Sequence, residues 1–312
     1  MEHLITDMTN NLYNNIETVC IQLANNDTWV ITYVSNETYW LKKLAYIMEL
    51  KIHKSIANPN ILVYRNILSE LPTDSFKSVS NLDGKNFPTN NRYVIYDFNY
   101  IKYYNHLNFP YLICDIGKRE DDVSELIKMQ FFLYPIYEHI IKAGGLPIHA
   151  ALIERYGKSV IIGASGGTGK STCCNRISIP WRPLCDDLTL IVMNKYKEYY
   201  AHPFPTWSEY LCRRSSRTWN VQMCVPLNSI FFLEHSEEDK VITIKKREGA
   251  FKLYQLSSQI CDLFWRYMEK EKVRKLKKKL FENAWDLAIS SPCYVLQCNL
   301  IGEFWKEIEK VL

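Results

Sequence analysis

The chain reads as an α/β protein, a mixed sheet flanked by helices with a smaller α+β region in front of it. Three observations carry that reading. A strand-like run at residues 159–163 leads into a glycine-rich loop at 164–169 and then a helical stretch at 171–177. An apolar run at 147–153 precedes it, separated by a short turn containing Gly157, so the two runs read as an antiparallel hairpin. Longer helical patterns, at 121–143 and 257–288, are interleaved with short apolar strand signals.

The first elements are short. Residues 18–23 and 28–34 read as strands, the first from the alternation Val19, Ile21, Leu23, and residues 38–50 as an amphipathic helix. Residues 71–92, rich in Pro, Asp, Ser, Asn and Gly, read as an exposed connection. Strand signals return at 93–96 and 111–114. Asp121 and Asp122 suit the positive end of the helix that follows, Pro135 predicts a kink inside it, and Gly144-Gly145 predicts its end. Beyond the loop, strands are expected at 188–193, 230–233, 241–244 and 294–297, one long helix at 257–288, and a last helix ending at Leu312. The length favours two domains, divided as 1–118 and 119–312. The basic run 270–279 keeps an apolar stripe through Val273, Leu276 and Leu280, so it reads first as a solvated helix face and second as a surface for an acidic partner.

Composition excludes several classes. With 47% hydrophobic and 23% charged residues, the chain has the balance of a globular protein and not of a disordered one. A net charge of +4 without a concentrated patch does not point to nucleic acid. No run approaches the ~18 apolar residues that cross a bilayer, and the N-terminus lacks a secretion pattern. The ten cysteines show no C-x-x-C and fall mostly in apolar runs, so a cytoplasmic protein with reduced, buried thiols is expected. The adjacent Cys173 and Cys174 read as helix packing before they read as a redox switch.

Residues 164–172 (ASGGTGKST) carry the chemistry. Strand, glycine loop and helix occur in the order that a phosphate-binding loop of the Walker type requires. Gly166, Gly167 and Gly169 let backbone N–H groups converge on phosphate oxygens, with Ser165 and Thr168 in the same loop. Lys170 is placed to reach the β- and γ-phosphates, and Ser171, followed by Thr172, to ligate magnesium. ATP with Mg2+ is the expected ligand. Fifteen residues after Ser171, Asp186 and Asp187 sit between apolar residues. A lone acidic pair is ordinarily a turn or cap; next to a phosphate loop it can divide the work, one carboxylate holding the metal and the other taking a proton from an attacking hydroxyl. His149 lies on the strand paired with the one that feeds the loop. A lone His there is more often a satisfied core residue, but its register allows it to orient an aspartate.

Together His149-Ala-Ala, the turn at Tyr156-Gly157-Lys158, the 164–172 loop and Cys185-Asp-Asp-Leu resemble the catalytic core of HPr kinase, over roughly residues 145–195. The stretches 202–208 and 226–234 are most similar, within HPr-kinase-like proteins, to those of modified-peptide clusters, the SynChlorMet cassette type. The resemblance implies a kinase domain akin to that of phosphoenolpyruvate carboxykinase. It implies ATP on the loop and Lys170, magnesium on Ser171 and Asp186, and Asp187 as base paired with His149. The Arg- and Gly-rich stretch that follows the double Asp in HPr kinase has no counterpart here, and the first 118 residues differ, so HPr itself is not the expected acceptor and residues 1–118 are expected to form an accessory domain that recognises a different protein or peptide. The expected function is phosphorylation of a Ser or Thr hydroxyl on a peptide or protein, with self-association left open. A small-molecule kinase and a nucleotide-binding subunit without turnover are the alternatives. No nucleic-acid or membrane partner is expected.

Overall fold

The computed structural model describes residues 17–33, 39–53, 60–65, 93–106, 111–212 and 217–312. Within them the protein is mixed α/β, with two mixed sheets and helices. The first sheet has seven strands: β1 (Glu17–Gln22), β2 (Thr28–Tyr33), β3 (Ile52–His53), β4 (Ile61–Tyr64), β5 (Tyr93–Asp97), β6 (Lys102–His106) and β7 (Leu112–Asp115). Their spatial order is β3-β1-β2-β4-β7-β6-β5. β4 runs parallel to β2 and β7, whereas β1–β2 and β5–β6–β7 are antiparallel. Helix α1 (Tyr39–Ile47) buries Trp40, Leu41, Leu44, Ala45 and Ile47, the helical spacing seen in the sequence. The expected connection at 71–92 lies outside the described residues. β6 escaped the sequence reading because its polar residues mask Tyr103, which is buried and donates its hydroxyl to Phe132 O at 2.6 Å.

The expected helix at 121–143 is two helices, α2 (Asp122–Phe132) and α3 (Tyr134–Lys142). Pro135 causes the difference. It has no N–H to give to a preceding carbonyl, so the chain restarts with proline in the first turn of α3 instead of bending one continuous helix. Asp121 caps α2 by accepting from the N–H groups of Val123 and Ser124.

The second sheet has eight strands: β8 (Leu146–Arg155), β9 (Lys158–Gly163), β10 (Arg182–Cys185), β11 (Leu188–Met193), β12 (Tyr199–Phe204), β13 (Val225–His235), β14 (Lys240–Thr243) and β15 (Cys293–Cys298). The hairpin is confirmed: β8 and β9 are antiparallel, with Ala150 opposite Gly163. β9 then runs parallel to β13, and β13 parallel to β15. The pairings β8–β11–β12–β13–β9–β8 close on themselves.

Side-chain alternation assigns the two faces of this sheet. Ala151, Ile153, Val160, Ile162, Phe231 and Leu233 pack under α4 (Lys170–Arg176) and α8 (Phe304–Glu309). Their neighbours Ala150, Leu152, Ile161, Ile230 and Phe232 face the other core, shared with α3, α6 (Lys246–Trp265) and α7 (Lys270–Ser290). The tail is thus two helices and not one at 257–288. The pattern misled because Tyr267 and Met268 continue the apolar spacing across the break. On α7 basic residues are paired within the helix, as Arg274 with Glu271, or across to neighbouring helices, as Lys277 with Asp262 of α6 and Lys272 with Glu138 of α3. Among the described residues no helix is long and apolar enough to cross a membrane.

The larger core runs without interruption from Val19, Trp40 and Ile61 into the second sheet. One polar fastener reinforces it. His202 on β12 is fully buried, its Nε2 accepting from the Ala24 N–H at 3.1 Å and its Nδ1 lying 2.9 Å from Val221 O. Burial pushes its pKa down to about 4, against the smaller upward pull of the Val221 carbonyl. The folded protein holds this ring neutral, while the unfolded chain protonates it near ~6.5. Stability is therefore expected to fall as pH drops from about 6.5 to about 4, by on the order of 3 kcal/mol from this group. Urea unfolding across that range checks this. His202→Asn should be less stable near neutrality and show a shallower acid limb; parallel pH profiles would remove His202 from the account.

Candidate functional site

The loop leaves β9 at Gly163, which is flanked by Ala150 of β8 and Phe232 of β13. Gly167 (φ 79°) and Gly169 (φ 96°) take the left-handed conformation that side chains disfavour, and Gly169 is the residue before α4. An added Cβ on Gly166 or Gly167 would meet nothing within 4 Å, so the outer side of the loop is open. Ser165, Gly166, Gly167, Ser171 and Thr172 are exposed, and Thr168 and Gly169 half-buried. Lys170 is different. It is buried, and its ammonium donates to Ala164 O at 2.8 Å and Ser165 O at 3.3 Å. Burial lowers its pKa, opposed by the attraction of Asp187 and then of Asp186. The lysine, the loop and both carboxylates therefore share one electrostatic neighbourhood.

Asp186 and Asp187 form the connection between β10 and β11. Each is held by a different residue. Asp186, almost fully buried, accepts from the Thr206 hydroxyl at 2.7 Å. Asp187 is a third exposed, and its Oδ1 lies 2.8 Å from His149 Nε2. Register brings His149 there, because β8 pairs with β11 so that His149 faces Leu188, the next residue along. Carboxylates only accept, so the Nε2 proton faces Asp187. Nδ1 lies 2.8 Å from Gln259 Oε1 on α6.

The predicted site residues thus converge: loop, Lys170, Asp186, Asp187 and His149. Sequence reasoning missed Thr206 and Gln259. Thr206 lay inside a stretch noted for its likeness to other proteins, but no spacing marked its hydroxyl. Gln259 is 110 residues from His149, in a stretch that the sequence marked only as helical. His235, at the end of β13, was also missed; a Cβ on Gly169 would lie 3.7 Å from its ring. The two adjacent thiols part company, Cys173 facing Cys298 at 4.0 Å and Cys174 directed at Cys185 O.

The glycine loop offers room and backbone donors for an anion, and the Ser171 hydroxyl and Asp186 are hard oxygen donors of the kind magnesium takes. Among the described residues no group of three or more His, Cys, Asp or Glu could hold a metal ion, so any cation here would draw most of its shell from water or a ligand's oxygens. Fold and site define an α/β protein with an open glycine loop facing a positioned pair of carboxylates. The profile of the SynChlorMet cassette protein ScmC family matches residues 112–312, about two thirds of the chain, and the protein belongs to that family. No curated protein matches the chain.

The Thr206 contact is testable by itself. Thr206→Val should cost about 1–3 kcal/mol in denaturant unfolding, because it leaves a buried carboxylate oxygen without its donor. Thr206→Ser should restore most of that. Equal stability of the valine variant and the wild type would mean that Asp186 is not held this way.

Proposed function

We propose that this protein is a kinase of the HPr-kinase-like type, transferring the γ-phosphoryl group of ATP to a Ser or Thr hydroxyl of a peptide or protein. The observation that carries this reading is the held carboxylate: Asp187 anchored by His149 while the buried Lys170 lies in the field of Asp187 and Asp186. A module that only binds nucleotide has no use for a positioned base beside its loop. Support also comes from the likeness of residues 145–195 to HPr kinase, and the fold proposed for residues 119–312 is the corresponding one, akin to phosphoenolpyruvate carboxykinase.

Each residue has a role in this reading. The backbone N–H groups of residues 165–169, with Lys170 and Thr172, gather the phosphates; Lys170 leaves its carbonyl partners for the β- and γ-oxygens. Ser171 and Asp186 would hold magnesium, the latter kept in place by Thr206. Magnesium, when bound, neutralises phosphate charge and withdraws density from the leaving oxygen. His149 occupies Oδ1 of Asp187, leaving Oδ2 without a partner among the described residues. Asp187 accepts the acceptor's hydroxyl proton as that oxygen bonds to the γ-phosphorus and the bond from that phosphorus to the β–γ bridging oxygen breaks, releasing ADP.

Lys170→Ala is expected to abolish ATP-dependent phosphorylation, measured with labelled ATP; wild-type turnover in this variant would end the phosphate-loop reading. Asp187→Asn should lower turnover about 10²–10⁴-fold with nucleotide affinity nearly unchanged. Equal losses in calorimetric affinity and turnover would exchange the roles of the two aspartates.

A further inference from the structure

A cavity of about 190 Å³ lies beside Asp187, which forms part of its wall. Most of the remaining described wall comes from α3, α5 (Trp207–Leu211) and α6, through Tyr137, Trp207, Leu211, Leu263 and Phe264, with α2 and the start of β11 adding Gln130 and Leu188. Among the described residues no Lys or Arg lines it, and Asp187 is the one charged residue of that lining. An acidic or phosphorylated group entering it would meet the Asp187 carboxylate and no counter-charge among the described residues. A neutral, apolar group would lose water over the part of its surface that the wall covers and gain close contacts there. Size agrees: an apolar protein cavity of about 150 Å³ accepts benzene, so this one takes a single large aliphatic side chain or a phenyl ring. Trp207 adds a polar detail. Its indole N–H is buried and has no hydrogen-bond partner among the described residues. All the lining residues fall between Gln130 and Phe264, within the family-matched part of the chain.

We infer that this cavity is the acceptor's specificity subsite, and that the substrate is a peptide segment in which the phosphorylated Ser or Thr is flanked by a large apolar residue. The inference rests on the kinase reading above and names its substrate class. Asp187 at the wall sets the distance: a side chain filling the cavity leaves the neighbouring hydroxyl within reach of the base. Gln259 couples the two, since it lines the cavity and also holds Nδ1 of His149, which positions Asp187. A filled cavity therefore supports the orientation of the base as well as the affinity for the peptide.

The test uses the full chain, ATP with Mg2+, and a peptide library with one central Ser or Thr and every flanking position varied, the products mapped by mass spectrometry. Leu, Ile, Met or Phe should be enriched about 10–100-fold over Asp, Lys or Gly at one flanking position. Ser208, an exposed residue at the cavity wall, provides the control. Ser208→Trp fills the space and should flatten that preference, with nucleotide affinity by calorimetry reporting that the variant is folded; Leu211→Trp narrows the same cavity and is read the same way. Phosphopeptides without an apolar preference, or a preference unchanged in both variants, overturn the subsite. A wild-type protein that binds nucleotide yet phosphorylates no peptide overturns the peptide-kinase reading itself, a result distinct from a flat preference.

Discussion

Strand β8 pairs with β9 along one edge and with β11 and β10 along the other, and the candidate site depends on that double pairing. β9 delivers the glycine loop and β11 begins immediately after the two aspartates. With β8 between them, Ala150 stands opposite Gly163 and His149 opposite Leu188. A slip of one residue would turn His149 to the other face of the sheet and bury a different side chain set. The alternation of Ala150 and Leu152 against Ala151 and Ile153, each pair packed into its own core, opposes such a slip. The His149–Asp187 contact is thus a product of core packing on both faces of one strand.

The second layer of control comes from groups far away in sequence. Thr206 follows β12, and Gln259 sits in the middle of α6; each presents one polar group to a residue on β8 or on the β10–β11 connection. Both are neutral side chains that fix a charged or titratable partner. Such arrangements favour orientation over net stability, because a buried carboxylate needs its donor before it contributes anything. The same logic applies to Lys170, whose buried ammonium rests on two loop carbonyls. These contacts supply part of the hydration it has lost, and a polyanion at the loop would supply more.

Local features were legible in the sequence wherever a residue type has one conformational reason to be where it is. Gly167 and Gly169 require positive φ, Asp121 caps a helix, and the alternation of β8 and β9 announces a hairpin. The loop, Lys170, the aspartates and His149 could be named because strand, loop and helix follow one another within thirty residues. Thr206 and Gln259 could not, since only the tertiary fold brings them in. The breaks in the long helices were obscured for a different reason: periodicity continues through Leu133 and through Met268 although the backbone does not. The first 118 residues add a further contrast. The described residues among them build their own sheet, yet share one continuous core with the second, and His202 ties the turn after β1 to β12.

The central claim is that the open glycine loop and the carboxylates beside it form one nucleotide site. Calorimetric titration of the full-length protein with ATP, in the presence and absence of magnesium, tests this most directly. The account predicts one molecule of ATP bound per chain, with affinity that rises sharply when magnesium is present. Absence of binding under both conditions, by a protein whose unfolding curve shows it to be folded, would contradict it.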